Sequence, residues 1–424
     1  MRGELRAGTA RVTITPPVGL HLQGYQRGRP TEGIRDELYA RALVLERGET
    51  RFAMICADII GMEPDSVART RGLVEQATGI PGGAVCIAAS HTHSGPAVAH
   101  VGRMDPVDPD YTRTLERAMA GAVAMAAKVL ETVRVGHGEG WCGFNINRRL
   151  PAPDGMVMRP NPDGVQDRRV QVIRLESEAE RPAAVLFRYA CHPTCLGVGN
   201  LRYSGDYPGA AARVVESVYG AGTRAFFLPG CFGDLRPNLT TPEGSFRGAT
   251  DREVDRLGRM LGAEVVRVAE EIAAGEDSSL ATGREELALP YADLPPADLL
   301  RGQIHEAQMD PFAEEILARR ERGEARVEVQ ALRLGPVTLI ALPGEVMNEI
   351  GAAVEQSLEG PTLVMGYTNA NPGYLCTARA MAEGGYEPNC YLTSYHHPAP
   401  FTPDTEHLLQ RAAVTAADRC NNTG

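Results

Sequence analysis

Apolar residues along this chain fall into short runs rich in Val, Ile, Leu and Ala, separated by longer stretches with helical spacing. Runs at 38–45, 52–59 and 84–89 predict strands, and the spacing between the last two predicts a helix over 64–77. An Ala- and Met-rich stretch behind Asp110 predicts a long helix over 111–130. Further strands are predicted at 170–175, 183–189 and 225–228, with a helix after Pro208 and a long one over 252–273. Residues 276–325 change character, with acidic and Leu-Pro segments followed by a charged helical stretch, and are expected to form a linker and surface insertion. The strand pattern resumes at 327–334 and 337–342, where Gly335-Pro336 supplies the turn. No period repeats. Strands alternating with helices place the chain in the α/β class, with 326–424 as its C-terminal part.

Composition narrows the partners. A chain of 424 residues with 43% hydrophobic positions can bury a substantial core. Its net charge of −11, spread along the sequence, argues against nucleic acid or an anionic membrane as main partner and favours a small neutral or polar ligand. No run approaches the ~18 apolar residues of a spanning helix, and the opening residues lack a leader's apolar core, so a cytoplasmic protein is expected. Nine cysteines at irregular spacing fit reduced, buried thiols.

The chemistry concentrates at strand ends. His91 and His93 follow the run 84–89, and Gly95-Pro96 then breaks the strand. Alternate residues in extended backbone point the same way, so both rings face one space. Either imidazole could bind a metal or carry protons, but two nitrogens cannot complete a tetrahedral site. His192 ends the run 183–189 in the same manner, and Cys191 and Cys195 around it read as buried thiols. Asp206 enters a helix nearby and is expected to orient a liganding imidazole. Glu345 follows a strand and a Pro343-Gly344 turn, and the polar loop 366–374 ends in Tyr374, with Tyr386 twelve residues on. Singly, these read as a core histidine, a turn glutamate and packing tyrosines.

Together and in order, His91-Thr92-His93-Ser94-Gly95-Pro96, His192-Pro193-Thr194, Pro343-Gly344-Glu345 and the Tyr374/Tyr386 pair resemble the neutral, non-lysosomal ceramidase family. Segments 7–15 and 34–42, Gly24-Tyr25, Asn145-Ile146-Asn147-Arg148 and Gly233-Asp234-Leu235-Arg236-Pro237-Asn238 extend the resemblance over nearly the whole chain. It implies one mixed-sheet, layered α/β catalytic domain over 1–424, without that family's C-terminal β-sandwich domain, and zinc-dependent cleavage of a small-molecule amide. The family's zinc ligands fall on His91, His192, Glu345 and Tyr374, for one ion per chain. Its catalytic positions fall on His93, Arg148 and Tyr386. Asn147, Asp234 and Arg236 are expected at the substrate.

Such a site suits amide hydrolysis. Two imidazoles and a carboxylate leave a position open to water on zinc, His93 can pass a proton to the leaving amine, and Arg148 and Tyr386 can donate to the oxyanion. The family carries a serine where this chain has Arg236. A guanidinium there disfavours an alkyl chain and favours a polar, anionic substrate. Together with the expected lack of a secretory leader and accessory domain, this points to a soluble amide. The alternatives are ceramide or another N-acyl lipid, an ester or lactone at the same metal, or a ligand-binding homologue without turnover.

Overall fold

A computed structural model describes residues 3–99 and 106–422. Eight strands form the main sheet: Arg6–Thr13 (β1), Tyr39–Arg47 (β2), Thr50–Ala57 (β3), Val85–Ala89 (β4), Glu131–Trp141 (β5), Arg169–Ser177 (β6), Pro182–Tyr189 (β7) and Arg224–Pro229 (β8). Their order is β8-β7-β6-β5-β1-β2-β3-β4, with β3–β4 and β7–β8 parallel and the other neighbours antiparallel. β1 and β5 meet only through Arg6 with Thr132 and Ala7 with Glu131, so the sheet divides there into two halves. Side-chain alternation then sets the layers. Ala184, Leu186, Phe226 and Leu228 share a core with Ala42, Val44, Ile55 and Ile87 of the other half. Their neighbours in sequence, Val185, Phe187, Ala225 and Phe227, pack instead with residues of the helices Asp206–Tyr219 and Asp251–Glu271. With Pro64–Thr78 and Pro109–Ala126 covering the first half, the layers run helix, sheet, sheet, helix.

Helix starts follow from local chemistry. Pro109–Ala126 opens after Asp108, whose carboxylate accepts from the Tyr111 N–H, and Asp110 lies in its first turn. Asp251–Glu271 begins in a reciprocal capping box between Thr250 and Glu253.

The region 276–325 departs from the linker and surface insertion expected of it. Leu280–Pro290 (β9) pairs along all 11 of its residues with Glu324–Leu334 (β10), and Val337–Ala341 (β11) and Thr362–Met365 (β12) complete a second sheet, β9-β10-β11-β12. Only Leu280 and Leu289 of β9 are buried, and the charges of Arg284, Glu285 and Glu286 mask its strand period in the sequence. The rest of the region is helical, at Ala297–Glu306 and Ala313–Arg322, around a small cluster of Leu300, Ile304, Met309 and Ile316. One set of second-sheet residues, Leu332, Leu334, Leu339, Leu363 and Met365, joins the core of the main sheet. The other, Val327, Val329, Ile340 and Val364, packs with residues of the helices Asn348–Gln356 and Thr405–Asn422. The two sheets therefore share one core.

Candidate metal centre

His91 leaves the end of β4 and His192 the end of β7, from opposite halves of the main sheet, yet their ring centroids are 4.8 Å apart. His91 adopts a left-handed backbone, φ 62°, a costly conformation for a residue with a side chain. Its N–H donates to the Ile59 carbonyl at 2.9 Å, and its Nδ1 lies 2.6 Å from the Ile60 carbonyl oxygen. His192 Nδ1 lies 2.7 Å from the carbonyl oxygen of Phe232. A carbonyl only accepts, so each Nδ1 carries the proton and each Nε2 presents a lone pair.

Glu345 meets those lone pairs. It opens the short strand Glu345–Val346, paired with Tyr374–Leu375 so that Glu345 and Tyr374 are register partners. Gly344 makes the turn at φ 72°, where a Cβ would come 2.6 Å from the Gly373 carbonyl oxygen. Glu345 Oε2 lies 3.3 Å from His91 Nε2 and 3.2 Å from His192 Nε2. All three atoms are buried and none has a hydrogen-bond partner. Three lone-pair atoms facing one another out of water repel unless a cation lies between them, so the donor set fits a divalent metal. Burial, with Arg148 adding, brings His192 down to about 4.

His93 completes a triangle of imidazoles, its ring 5.0 Å from His91 and 5.5 Å from His192. Ligand nitrogens of the three lie within 4.8 Å of one another, so this group can hold a metal ion. Neither ring nitrogen of His93 has a hydrogen-bond partner. Burial and the neighbouring imidazoles hold its pKa well below the usual histidine value. The Tyr25 ring lies against it at 4.8 Å, and a Cβ at Gly24 would come 2.4 Å from its Nδ1.

Arg148 is buried and held at both ends of its guanidinium. Its Nη2 donates to the Tyr374 hydroxyl at 2.7 Å and its Nε to Glu387 Oε1 at 2.8 Å, while Arg149 Nη1 donates to Glu387 Oε2 at 2.6 Å. Burial opposes its charge, but Tyr374 and Glu387 overcome that and raise its pKa. Burial also raises the Tyr374 phenol. Tyr386 is 46% exposed; its ring sits edge-on to Tyr374 at 5.7 Å and faces the Arg148 guanidinium at 5.8 Å. It is a rim residue.

Three expected roles do not hold as stated. Asp206 does not orient a liganding imidazole: its carboxylate accepts from the N–H groups of Leu196 and Tyr207, and backbone carbonyls anchor His91 and His192 instead. Asn147 and Asp234 are not free for substrate, because Asn147 Nδ2 donates to Asp234 Oδ2 at 2.9 Å and the Asn348 N–H donates to Asp234 Oδ1 at 2.9 Å. The Asp234 carbonyl also receives the Arg148 N–H at 2.9 Å, so this pair fixes the strand that carries Arg148. Arg236 forms no ion pair with Asp234 or another carboxylate among the described residues. Its guanidinium lies over the Phe246 ring at 4.1 Å with Nε buried and unpartnered. Burial lowers its pKa, with Tyr25 opposing and Arg148 reinforcing that shift.

The sequence reading missed Glu387, next to Tyr386, and Tyr395, whose hydroxyl donates to Glu345 Oε1. It also missed the aromatic wall in which Tyr367 stacks on Phe232 at 4.1 Å and packs on His91 at 4.3 Å. All nine cysteines are buried, and none forms a disulfide among the described residues. Among the described residues no helix is long and apolar enough to cross a membrane.

No curated protein sequence matches the chain. Its fold is similar to the crystal structure of neutral ceramidase from Pseudomonas aeruginosa, with TM-score 0.77 and 18% identity over 98% of this chain and 74% of that one. It is equally similar to a ceramidase complexed with C2, with TM-score 0.77 and 19% identity over 98% of this chain and 76% of that one. The mixed-sheet α/β architecture is thus that of the neutral ceramidases. Residues 5–252, more than half of the chain, match the family described as "Neutral/alkaline non-lysosomal ceramidase, N-terminal", and the protein belongs to that family of amide-bond hydrolases.

Proposed function

We propose that this protein is a zinc-dependent amidohydrolase acting on a soluble N-acyl compound that presents an anionic group to Arg236. The observation that carries the reading is the convergence of His91 Nε2, His192 Nε2 and Glu345 Oε2, buried and unpartnered, on one point. His91, His192 and Glu345 would hold the ion, with Tyr374 as fourth donor. Backbone anchoring of Nδ1 supports the ligand role for the first two histidines, since metal-binding imidazoles are fixed through their other nitrogen. When bound, the ion supplies Lewis-acid activation of water and of the scissile carbonyl.

The remaining residues handle protons and charge. His93 lacks an anchor, and its low pKa keeps it a neutral base that can accept a proton from water and return it to the leaving amine. Arg148, kept charged and fixed by Glu387, can donate to the developing oxyanion, and the Tyr386 hydroxyl can approach it from the rim. The buried, unpaired Nε of Arg236 favours a carboxylate over an alkyl chain, which leaves a guanidinium unsatisfied.

Elemental analysis and a substrate comparison test this. About one zinc per chain is expected in the wild type, lost in His91→Ala and His192→Ala and kept in His93→Ala with kcat down ~10²-fold. A short N-acyl amino acid should be cleaved in preference to ceramide in detergent, and Arg236→Ser should lose ~10-fold or more of that preference. Absence of metal after expression with zinc, or ceramide as the better substrate, would overturn the respective half of the proposal.

A further inference from the structure

The two oxygens of Glu345 have different surroundings. Oε2 faces the Nε2 atoms of His91 and His192, whereas Oε1 accepts a hydrogen bond from the Tyr395 hydroxyl. Glu345 is only 2% exposed, so no solvent competes for either oxygen. We infer that Tyr395 is a positioning residue that confines Glu345 to one-oxygen ligation and thereby sets which metal ion the centre prefers. The inference rests on the reading of His91, His192 and Glu345 as the metal ligands.

Tyr395 is fixed well enough to do this. Its carbonyl oxygen accepts from Arg319 Nη1 at 2.7 Å. Its ring packs on the backbone of Gly373, where a Cβ would come within 2.6 Å of it, and stands edge-on to the Tyr374 ring at 5.8 Å. Two residues on, His397 Nε2 donates to the Pro372 carbonyl at 2.6 Å, and the Tyr291 hydroxyl donates to His397 Nδ1 at 2.8 Å. The segment 395–397 is thus clamped onto 372–374, so one ring is indexed to both Glu345 and Tyr374, which are register partners in the short sheet.

Ligation number follows from this arrangement. A carboxylate whose second oxygen is occupied offers one donor, which with two imidazoles suits the low coordination number of zinc. With both oxygens free it can chelate, which favours higher coordination and larger, oxygen-seeking cations. Replacing the phenol by a phenyl ring leaves Oε1 buried and unpaired, and a metal ion is then the nearest partner for it.

The test uses metal binding and a spectrum. Zinc affinity is measured by chelator competition, and the visible absorption of the cobalt(II)-loaded protein reports coordination number, in the wild type and in Tyr395→Phe. The variant should bind zinc ~10- to 100-fold more weakly and show weaker cobalt absorption, as coordination number rises. Tyr291→Phe, which removes only the hydroxyl contact to His397 Nδ1 and leaves the Tyr395 ring on Gly373 and its carbonyl on Arg319, should leave the cobalt spectrum unchanged. Should Tyr395→Phe fail to fold, Arg319→Gln, which releases the Tyr395 carbonyl, should move both readouts in the same direction. A folded Tyr395→Phe with wild-type zinc affinity and spectrum would overturn the inference while leaving the metal site intact. A wild type that binds no zinc would overturn the reading beneath it.

Discussion

At the residue scale, the centre is organised by backbone carbonyls rather than by acids. Ile60 and Phe232 each take the Nδ1 proton of one imidazole, which fixes the neutral tautomer and aims Nε2 inward. That neutrality has a consequence for stability. In the fold His192 is protonated only near pH 4, against 6.5 in an unfolded chain, so between these values the unfolded state binds more protons. The contribution is complete above pH 6.5 and is lost as pH falls toward 4, by roughly 3 kcal/mol for a shift of that size. The urea midpoint of metal-free protein should therefore fall across this window, and more shallowly in His192→Gln; equal slopes would show that His192 does not drive the loss. The histidines were legible in the sequence because a strand end followed by Gly-Pro displays them. Tyr395 was not, since its role depends on an oxygen 50 residues away in the chain.

At the scale of elements, strands with continuous apolar runs were readable and the charged edge strand was not. β4 and β7 are buried along their whole lengths, so their sequences carry an unbroken signal. β9 is buried only at Leu280 and Leu289, and what marks it as a strand is its pairing with β10 and its closeness to the helix Thr405–Asn422. Gly283 allows that approach: a Cβ there would come 1.9 Å from the Ala416 carbonyl oxygen. Gly283→Ala should destabilise the protein by about 1–3 kcal/mol, read as a lower Tm, while zinc content stays at the wild-type level. An unchanged Tm would mean that the helix can move aside without cost. The strand Asn145–Ala152 was not predicted; only its Asn145-Ile146-Asn147-Arg148 segment stood out, as part of the family resemblance. Its place is fixed by Leu235–Pro237 on one side and Gly155–Asn161 on the other.

At the scale of the whole molecule, the second sheet contributes both core and chemistry. Leu332, Leu339 and Met365 fill the same core as Leu186 and Phe226, and Glu345 and Tyr374 come from the same C-terminal third of the chain. A fragment ending at residue 275 keeps His91, His93 and His192 but loses that core surface and the carboxylate. It should show no cooperative unfolding transition by circular dichroism and retain no zinc; a two-state transition in the fragment would show that the first sheet folds alone. Which motifs would meet came only from the family resemblance that their order carries; the sequence by itself determined the α/β class and the strands that end in histidines. Those are local matters, governed by periodicity, turn chemistry and spacing. The tertiary structure alone decided that two halves of one sheet pack face to face and bring His91 to His192. It also decided that 276–325 supplies an edge strand, that Asn147 and Asp234 hold each other, and that Tyr395 rather than Asp206 holds a member of the donor set. Each of these depends on which distant surfaces bury each other and which polar atoms must then be satisfied, and no stretch of sequence encodes that locally.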